Sequence, residues 1–597
     1  MQFKRLIAAS ALSALFAANA QAVSLTGTIT TENGSPVMGA MLTVFNEAGN
    51  RKESVYSGAD GSYAIHTDFG GKLNVRARLA NFEDATTTVQ LAADQLSTVN
   101  LTLKHFASAQ AASDALTASA HTAKLPWASH DQRRPFVSQC NYCHQVGNAL
   151  TRSARSEDAW TVTLDRMQGY FAMLSKGEAK TFANVLARGF DGKPVQAVQN
   201  YGIAPELTHA KVEQWMVGDA MTFIHDTDVG IDDKLYGTDE GHDLVWVLDR
   251  QTGKTDSYPE PDINLPAGGL FNGMTLPIGI FTGKHGPHSM AQGKDGRFWI
   301  TNALSSTLAS FDPVTKAFKL YPVPGDALYP HTIRMDQEGI LWFTNNVSNQ
   351  VARFDPKTEK FTIIRLPSNG LFRWITDMLL PTIVHVGNWF PHKNLPLDVS
   401  THRFLGHDVL NSPYGIDVNP KDGGIWYAKL YANKIGHIDP KTLQVTEYDT
   451  PLKGPRRPRF DRNGILWIPA FEDSGLMRFD PVTKTFESYK LPVLADGEYE
   501  VPYALNVHPI TGDIWITANA SDRILRFIPS TKRFISYPSP TRVTVLRDLV
   551  FTKDGRVCNS NSNLPAYGTE DGLDSFMCFD PDGGDKDKAA ILAAKGK

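Results

Sequence analysis

The chain has 597 residues, a length typical of roughly three to four domains. Lys and Arg number 59 and Asp and Glu 63, so the formal net charge is −4, which argues against a dedicated nucleic-acid binder. Hydrophobic residues make up 42%, charged residues 20%, and only four Cys occur. These values exclude a largely disordered chain and a disulfide-built miniprotein.

Residues 1–22 have the features of a secretory signal peptide. Lys4 and Arg5 precede a short apolar run at 6–18, and Ala20-Gln21-Ala22 forms a small-x-small cleavage site. The apolar run is too short to span a membrane. We therefore expect a mature protein that is soluble, exported to the periplasm and without a transmembrane segment.

Residues 23–104 alternate apolar and polar side chains between Gly and Asn turns, which predicts a small β-sandwich. The stretch Gly34-Ser-Pro36-Val37-Met-Gly39-Ala40 resembles carboxypeptidase regulatory-like domains, and the resemblance implies a non-catalytic module. Residues 105–125 are rich in Ala, Ser and Thr, which predicts a linker.

Residues 126–205 change to a helical period. Trp160, Leu164, Met167 and Phe171 follow one another at spacings of four, three and four, so they form one apolar stripe. A second helix is predicted over 178–188. The sequence therefore predicts a small helical domain in this region.

Cys140-Asn-Tyr-Cys143-His144 is the strongest chemical motif of the chain. Two thiols at this spacing add to the two vinyl groups of haem, and the adjacent His binds the iron. A zinc site of this type needs a second C-x-x-C, which the sequence lacks. The motif predicts one covalent haem c.

With Arg155, Trp160 and Met167, this region resembles class I cytochromes c and, more narrowly, the haem domains of quinohaemoprotein amine dehydrogenases. Met167 is the predicted sixth iron ligand. It could equally be a core methionine on the Trp160 stripe. The other candidate ligands are Met173, Met216 and His209.

An internal repeat begins near residue 206 and decides the fold of the rest. An apolar-Trp-apolar core recurs at Trp299, Trp342, Trp426, Trp467 and Trp515. Each unit has four short strand patterns and about 43 residues, which predicts a mainly β fold with a seven-bladed β-propeller over 206–597. The seven units begin near His225, His288, His331, Tyr414, Arg456, Tyr503 and Arg547.

The last unit lacks its outer strand. Residues 211–217 resemble the outer strands of other blades, so we expect them to close the ring by pairing with the last blade; a terminal helix of the preceding domain is the alternative. Cys558 and Cys578 occupy facing positions in the repeat, which predicts a disulfide, with two buried thiols as the alternative.

The seven residues that open the innermost strands should meet at the mouth of the central channel. We assign His225, His288, His331, Tyr414 and Tyr503 as candidate catalytic residues, with the three His as a possible second metal site. Arg456 and Arg547 could bind an anionic substrate group. A second column of residues stands three positions after the Trp of each unit and contains Asp239, Asn302, Asn345, Lys429, Ala470, Ala518 and Asn561. Of these we assign Asp239, Asn302 and Asn345 as candidate substrate-binding residues. The alternative is polar lining of a wet channel.

Pro413-Tyr414-Gly415-Ile416 and the stretch 339–345 resemble virginiamycin B lyases, also called streptogramin lyases. The resemblance implies a seven-bladed propeller that opens a cyclic depsipeptide by elimination, using Mg²⁺ and a His base. The Pro-His and Pro-Tyr positions that carry the His and Tyr of those enzymes correspond here to His288, His331, Tyr414 and Tyr503. Where those enzymes have metal-binding Glu, this chain has Asn302, Asn345, Lys429, and Gly286 or Tyr329.

The insertion at about 367–408 is rich in large apolar residues, which are Leu371, Phe372, Trp374, Met378, Leu379, Leu380, Trp389 and Phe390. Charged residues and a proline interrupt its apolar run, so it is a poor membrane helix. We expect these side chains to be buried over the propeller face or against the haem domain.

The sequence is compatible with three functions. The first is a haem c-linked oxidoreductase in which the propeller binds and oxidises a small organic substrate and the haem passes electrons to a periplasmic carrier. The second is a lyase with an accessory haem. The third is a non-catalytic electron-transfer or binding scaffold.

Overall fold

The structure, a computed structural model, describes residues 22–92, 94–169, 172–272, 283–388, 406–564 and 567–595. The predicted signal peptide lies outside the described residues except for Ala22. The fold is mainly β, with most strands in four-stranded antiparallel sheets. Among the described residues, no helix has both the length and the apolar character that a membrane crossing requires.

The N-terminal part is a β-sandwich of eight strands. They are β1 (Val23–Thr31), β2 (Met41–Phe45), β3 (Arg51–Tyr56), β4 (Ser62–Thr67), β5 (Gly71–Arg78), β6 (Ala85–Leu91), β7 (Leu96–Thr98) and β8 (Leu101–Leu103). One sheet contains β1, β4, β7 and β8, and the other contains β3, β2, β5 and β6. Alternating side chains of both sheets, among them Leu25, Leu42 and Val75, form the shared core.

Five helices follow the sandwich. They are α1 (Ala109–Asp114), α2 (Ala118–Thr122), α3 (His130–Cys140), α4 (Glu157–Gly169) and α5 (Lys176–Gly189). Ser175 caps α5 through a capping box with Glu178. Trp160 and Leu164 of the predicted stripe are buried in the core between the helices, whereas Phe171 lies outside the described residues.

The linker predicted over 105–125 is wrong as a description of this segment. It contains α1 and α2, and α2 is buried throughout. The Ser119 hydroxyl donates a hydrogen bond of 2.7 Å to Glu498 of the propeller, and its backbone N–H donates to the Ala520 carbonyl. Small side chains let this segment pack tightly between the propeller and the helices, and composition alone does not distinguish that role from a flexible linker.

Strand β9 (Lys211–Val217) precedes seven consecutive sheets. The first blade contains β10 (Ile224–Val229), β11 (Leu235–Asp239), β12 (Leu244–Asp249) and β13 (Lys254–Pro259). The second contains β14 (Pro287–Gln292), β15 (Phe298–Asn302), β16 (Thr307–Phe311) and β17 (Phe318–Pro322). The third contains β18 (Pro330–Met335), β19 (Leu341–Asn345), β20 (Gln350–Asp355) and β21 (Lys360–Arg365). The helix α6 (Leu371–Asn388) then interrupts the repeat.

The remaining strands are β22 (Pro413–Val418), β23 (Ile425–Lys429), β24 (Lys434–Ile438) and β25 (Val445–Asp449); β26 (Arg459–Phe460), β27 (Leu466–Ala470), β28 (Gly475–Asp480) and β29 (Thr485–Lys490); β30 (Pro502–Val507), β31 (Ile514–Ala518), β32 (Arg523–Ile528) and β33 (Arg533–Pro538); and β34 (Val550–Phe551), β35 (Val557–Asn561) and β36 (Asp574–Asp580), followed by α7 (Gly583–Lys595). Innermost strands of successive sheets contact one another, and β10 contacts β34 and β35, so the sheets close into a seven-bladed ring.

The predicted closing strand pairs as expected. β9 runs antiparallel to β36 from Lys211 opposite Asp580 to Val217 opposite Asp574 and completes the last blade. Its other edge pairs with β3, so one continuous eight-stranded sheet joins the last blade to the N-terminal sandwich. The sandwich thus covers an edge that would otherwise be open to another chain.

Cys558 and Cys578 lie opposite each other on β35 and β36 and form a disulfide bond. Both are fully buried in the core between the last blade and the first.

The expectation that the apolar residues of the insertion are buried is wrong for most of those described. Leu380 and Val384 of α6 pack on Phe271, Leu304 and Leu328, at the ends of neighbouring blades. The rest of the apolar face is exposed, at Leu371, Phe372, Trp374, Met378 and Leu379. Trp389 and Phe390 lie outside the described residues. Only one stripe of an isolated helix can contact a curved propeller face, and this helix is apolar on more than one stripe.

Candidate functional site

The Cys-x-x-Cys-His motif lies where α3 ends. Cys140 is the last residue of the helix, and Cys143 and His144 follow in the next turn. The two cysteines are not joined to each other by a disulfide. The Nδ1–H of His144 donates a 3.0 Å hydrogen bond to the Gln145 carbonyl, which leaves Nε2 as the free lone-pair atom. Burial lowers the pKa of His144, so the neutral, metal-binding form is favoured.

The motif lines a cavity of about 310 Å³ in the helical part of the chain. Cys140, Cys143 and His144 lie on its wall together with Met167 of α4, and apolar residues such as Leu164 contribute much of the remaining lining. A largely apolar wall with two thiols, one imidazole and one thioether is the donor set that haem c requires. The described residues therefore fit this group.

Of the four candidate sixth ligands, Met167 is the one on the cavity wall. His209 Nδ1 lies 2.6 Å from the carboxylate of Asp585, far from the motif in the fold. Met216 is on β9, in register with Ser575 of the last blade. Met173 is near the motif, where its backbone N–H binds Gln139, but its side chain does not line the cavity.

The Cys-x-x-Cys-His motif lies directly against the propeller. Tyr142, between the two cysteines, packs against Tyr414, and its ring lies 5.0 Å from the Arg456 guanidinium carbon. Asn141 donates a hydrogen bond of 2.9 Å to the Tyr499 hydroxyl, and Gln145 donates one of 2.7 Å to Asp522. These contacts hold the cavity over the propeller mouth.

At the mouth, the structure brings together the residues predicted from the first column. The rings of His225 and His288 lie 3.7 Å apart, those of His288 and His331 4.0 Å apart, and those of His331 and Tyr414 4.0 Å apart. In the five blades that carry His or Tyr, the strand register breaks at this residue. Bulges of this kind re-aim a side chain, which explains the convergence on the axis.

Hydrogen bonds link the mouth residues across the ring. The Tyr503 hydroxyl lies 3.1 Å from His225 Nε2 and 3.1 Å from the Tyr414 hydroxyl. Arg456 donates to the Tyr414 hydroxyl at 2.7 Å. Arg547 lies near the same group, with its guanidinium carbon 5.1 Å from the Tyr503 ring.

Two residues of this group, Asp226 and Arg457, were not predicted from the sequence. Asp226 Oδ1 lies 3.0 Å from His225 Nδ1, and Arg457 donates to both Asp226 oxygens at 2.8 and 2.9 Å. Each directly follows a residue that the repeat did single out. The signal in the sequence was a charged residue directly after the column residue, in the pairs His225-Asp226 and Arg456-Arg457.

The mouth is packed rather than open. Arg456 and Arg547 are 0% and 3% exposed, and aromatic rings cover them: Phe471 contacts Arg456, and Phe223 contacts Arg547. A substrate anion could therefore reach the two arginines only after covering side chains move, and their role in binding an anionic substrate group stays a prediction. Tyr142 would have to move before a substrate could reach Arg456.

The second column does not join this group. Asp239 accepts hydrogen bonds from the backbone of Phe223 and Gly241 and from the Trp246 indole. Asn302 donates to Glu260 at 2.7 Å, and the Lys429 ammonium lies 2.6 Å from Glu447. Other groups of the protein thus already bind these side chains, and the substrate-binding role of Asp239 and Asn302 stays a prediction.

The other members of the column are equally buried. Asn561 accepts the Val545 backbone N–H at 2.8 Å, Ala470 and Ala518 are core residues, and Asn345 is fully buried with neither amide atom hydrogen-bonded in the described part of the chain.

Burial governs the protonation of the mouth. It lowers the pKa of His225, His288 and His331 well below the usual histidine value, and the neighbouring positive charges act in the same direction. All three imidazoles are therefore neutral near pH 7. Burial by itself raises the pKa of Tyr503, but the guanidinium groups of Arg457, Arg547 and Arg456 outweigh it, so the net shift is downward.

A second metal at the mouth is not favoured. His225, Asp226 and His288 offer ligand atoms within 4.8 Å of one another, whereas the predicted third ligand, His331, has its ring 6.4 Å from that of His225. Arg457 already occupies both oxygens of Asp226. A cation would have to displace this guanidinium in a region that holds two more, so electrostatic repulsion opposes it.

Comparisons with known proteins found one family model and several similar solved structures. Residues 24–104 match the family model of the carboxypeptidase regulatory-like domain. No curated protein matches the chain. Similar solved structures include virginiamycin B lyase from Staphylococcus aureus (16% identity, TM-score 0.45, 62% of this chain and 99% of that one) and a streptogramin B lyase (16%, 0.45, 62% and 98%). A catalytically inactive virginiamycin B lyase from Staphylococcus aureus with quinupristin is 15% identical, at a TM-score of 0.45, over 62% of this chain and 99% of that one.

Proposed function

We propose that the chain is an exported c-type haem protein that oxidises a small organic substrate at the propeller mouth and passes the electrons to a periplasmic electron carrier. One observation carries the proposal. The Cys-x-x-Cys-His motif shares a cavity with a methionine, and Tyr142 of the same motif packs on Tyr414 and Arg456 of the mouth. A group bound in the cavity would be adjacent to the mouth.

The residues of the cavity have separate roles in this proposal. Cys140 and Cys143 would hold a haem through their sulfurs, and His144 Nε2 and the Met167 sulfur would be the groups that bind its iron. The hydrogen bond from His144 Nδ1 to the Gln145 carbonyl fixes the imidazole ring. Haem c, when bound, supplies a carrier of one electron at a time.

The mouth residues handle protons in the same proposal. Oxidation of an organic molecule releases protons together with electrons, and a neutral histidine with a hydrogen-bond partner on each ring nitrogen can take up a proton and pass it on. His225, with Asp226 on one nitrogen and Tyr503 on the other, has this arrangement. Because Tyr142 covers Arg456, access to the mouth requires this side chain to move.

The test has two stages. Full-length protein is expressed with its leader and a cytochrome c maturation system, and periplasmic fractions are stained for haem after denaturing electrophoresis. A stained band for the wild type that disappears in Cys143→Ala supports the haem assignment and the export. The visible spectrum of the oxidised protein is then followed with candidate substrates. Unstained wild type, or a haem that no small molecule reduces, would overturn the corresponding part.

A lyase is the second candidate, because its resemblance-derived His and Tyr positions do meet at the mouth. The position of one expected metal-binding Glu is occupied by the Lys429 ammonium, paired with Glu447. Mg²⁺-dependent ring opening of a streptogramin by the purified protein would favour this candidate, and turnover without change of the haem spectrum would separate it from the redox proposal.

A further inference from the structure

The mouth contains two buried arginines without an acidic partner. Arg456 and Arg547 form no ion pair with a described carboxylate, whereas Arg457 between them binds Asp226. Arg456 has one side-chain hydrogen bond, to the Tyr414 hydroxyl, and its Nε and Nη1 atoms have none within the described chain. Buried charges without compensation are strongly unfavourable, so a nearby group should supply negative charge.

Tyr503 lies at the centre of these positive groups. Its ring centroid is 3.9 Å from the guanidinium carbon of Arg456, 5.1 Å from that of Arg547 and 5.3 Å from that of Arg457. A neutral ring offers a cation–π contact to such groups. A phenolate would offer them a full negative charge as well.

The Tyr503 hydroxyl also has a direct path for its proton. His225 is neutral because it is buried, so its Nδ1–H donates to Asp226 and its Nε2 accepts the Tyr503 hydroxyl. When the proton moves, the O–H bond breaks with its electron pair left on oxygen, and an N–H bond forms at Nε2. The phenolate then faces the arginines and the imidazolium faces the Asp226 carboxylate, so each new charge has an opposite one beside it.

We propose that Asp226, His225 and Tyr503 form a proton relay at the propeller mouth, with Tyr503 as the acid–base group that takes the proton of a substrate hydroxyl and Arg456, Arg457 and Arg547 stabilising the phenolate. This order of hydroxyl, imidazole and carboxylate is the one that activates nucleophiles in hydrolases. A substrate hydroxyl fits because the same guanidinium groups favour the oxyanion that its deprotonation leaves.

The choice of reaction rests on the proposed function, but the relay does not require haem.

The other titratable groups around Tyr503 are Tyr414, which is hydrogen-bonded to it, and Tyr329 and Glu240 at the edge of the mouth. Burial raises the pKa of Tyr414, Tyr329 and Glu240, so burial opposes a negative charge on each of these groups. Tyr503 differs from them because the three guanidinium groups lower its pKa.

The experiment is an ultraviolet difference titration of the full-length protein that follows phenolate absorption against pH. We expect one of the 18 tyrosines to ionise at least about one pH unit below the others, and Tyr503→Phe to remove that early step. Tyr427→Phe is the matched control, because Tyr427 is also buried but binds a carboxylate, Glu447, and its change should leave the early step intact.

Arg547→Met should move the early step to higher pH by about one unit, and this variant serves if Tyr503→Phe does not fold. The relay is overturned if no early step exists, if it survives Tyr503→Phe, or if Arg547→Met leaves it unmoved. A stoichiometric divalent metal that is lost in Asp226→Asn would also overturn it, because the metal would occupy His225. The same titration on Cys143→Ala protein separates failure of the relay from failure of the haem proposal.

Discussion

The ion pair between Arg457 and Asp226 gives the sharpest test of how the mouth is held together. The side chains are 0% and 3% exposed, and the nitrogen–oxygen distance is 2.8 Å. Arg457→Met removes the positive charge but keeps most of the side-chain volume. It leaves Asp226 buried with His225 as its remaining side-chain partner, and an orphaned buried charge of this kind costs about 3–5 kcal/mol.

The double variant Arg457→Met with Asp226→Asn should recover most of this loss, because the second change removes the orphaned charge. The pair Lys532–Glu487 is the matched control: its distance is 2.6 Å, but its side chains are 62% and 41% exposed. Lys532→Met should therefore cost no more than about 1 kcal/mol. The free energy of unfolding is measured with urea, using propeller tryptophan fluorescence. If Arg457→Met costs no more than Lys532→Met, the argument from burial is wrong.

Three further predictions concern other parts of the molecule. Met167→Ala should keep covalently bound haem yet bind added imidazole at least about tenfold more tightly, measured by visible titration, whereas Met173→Ala should behave as wild type. Burial raises the pKa of Glu260 to about 8, so the folded state favours its neutral form and the protein loses stability as pH rises from about 4.5 towards 8. Glu260→Gln should reduce this loss when the free energy of unfolding is measured with urea at several pH values. An unchanged pH profile would contradict the prediction. Deleting residues 23–104 should expose the β9 edge and cause self-association in light scattering, and a monodisperse monomer would show that β9 needs no cover.

The structure also bears on the pH range in which the mouth histidines gain a proton. Ordinary histidines lose their neutral form between roughly pH 6 and 7, and an activity based on the three mouth histidines would fall in that range. Burial and the nearby arginines lower all three pKa values well below the usual one. Their contribution to an acid loss of activity should therefore begin at lower pH.

The sequence by itself determined the features that depend on local pattern. The Trp-centred repeat contains strand period, turn and length in each unit, so the blades and the closing strand at 211–217 could be predicted. A Pro-His or Pro-Tyr at the start of an innermost strand must lie near the axis of any propeller, so the convergence of His288, His331 and Tyr414 followed from the repeat alone.

Only the tertiary structure decided which surfaces are covered. The pairing of β3 with β9, the burial of α2, the exposure of most of the α6 apolar face and the position of Tyr142 over Arg456 all depend on contacts between distant segments. Such contacts follow from shape complementarity and long-range charge, which a local period does not contain. For the same reason Asp226 and Arg457 were recognised only in the fold, because they are 231 residues apart in sequence and contact each other only at the propeller mouth.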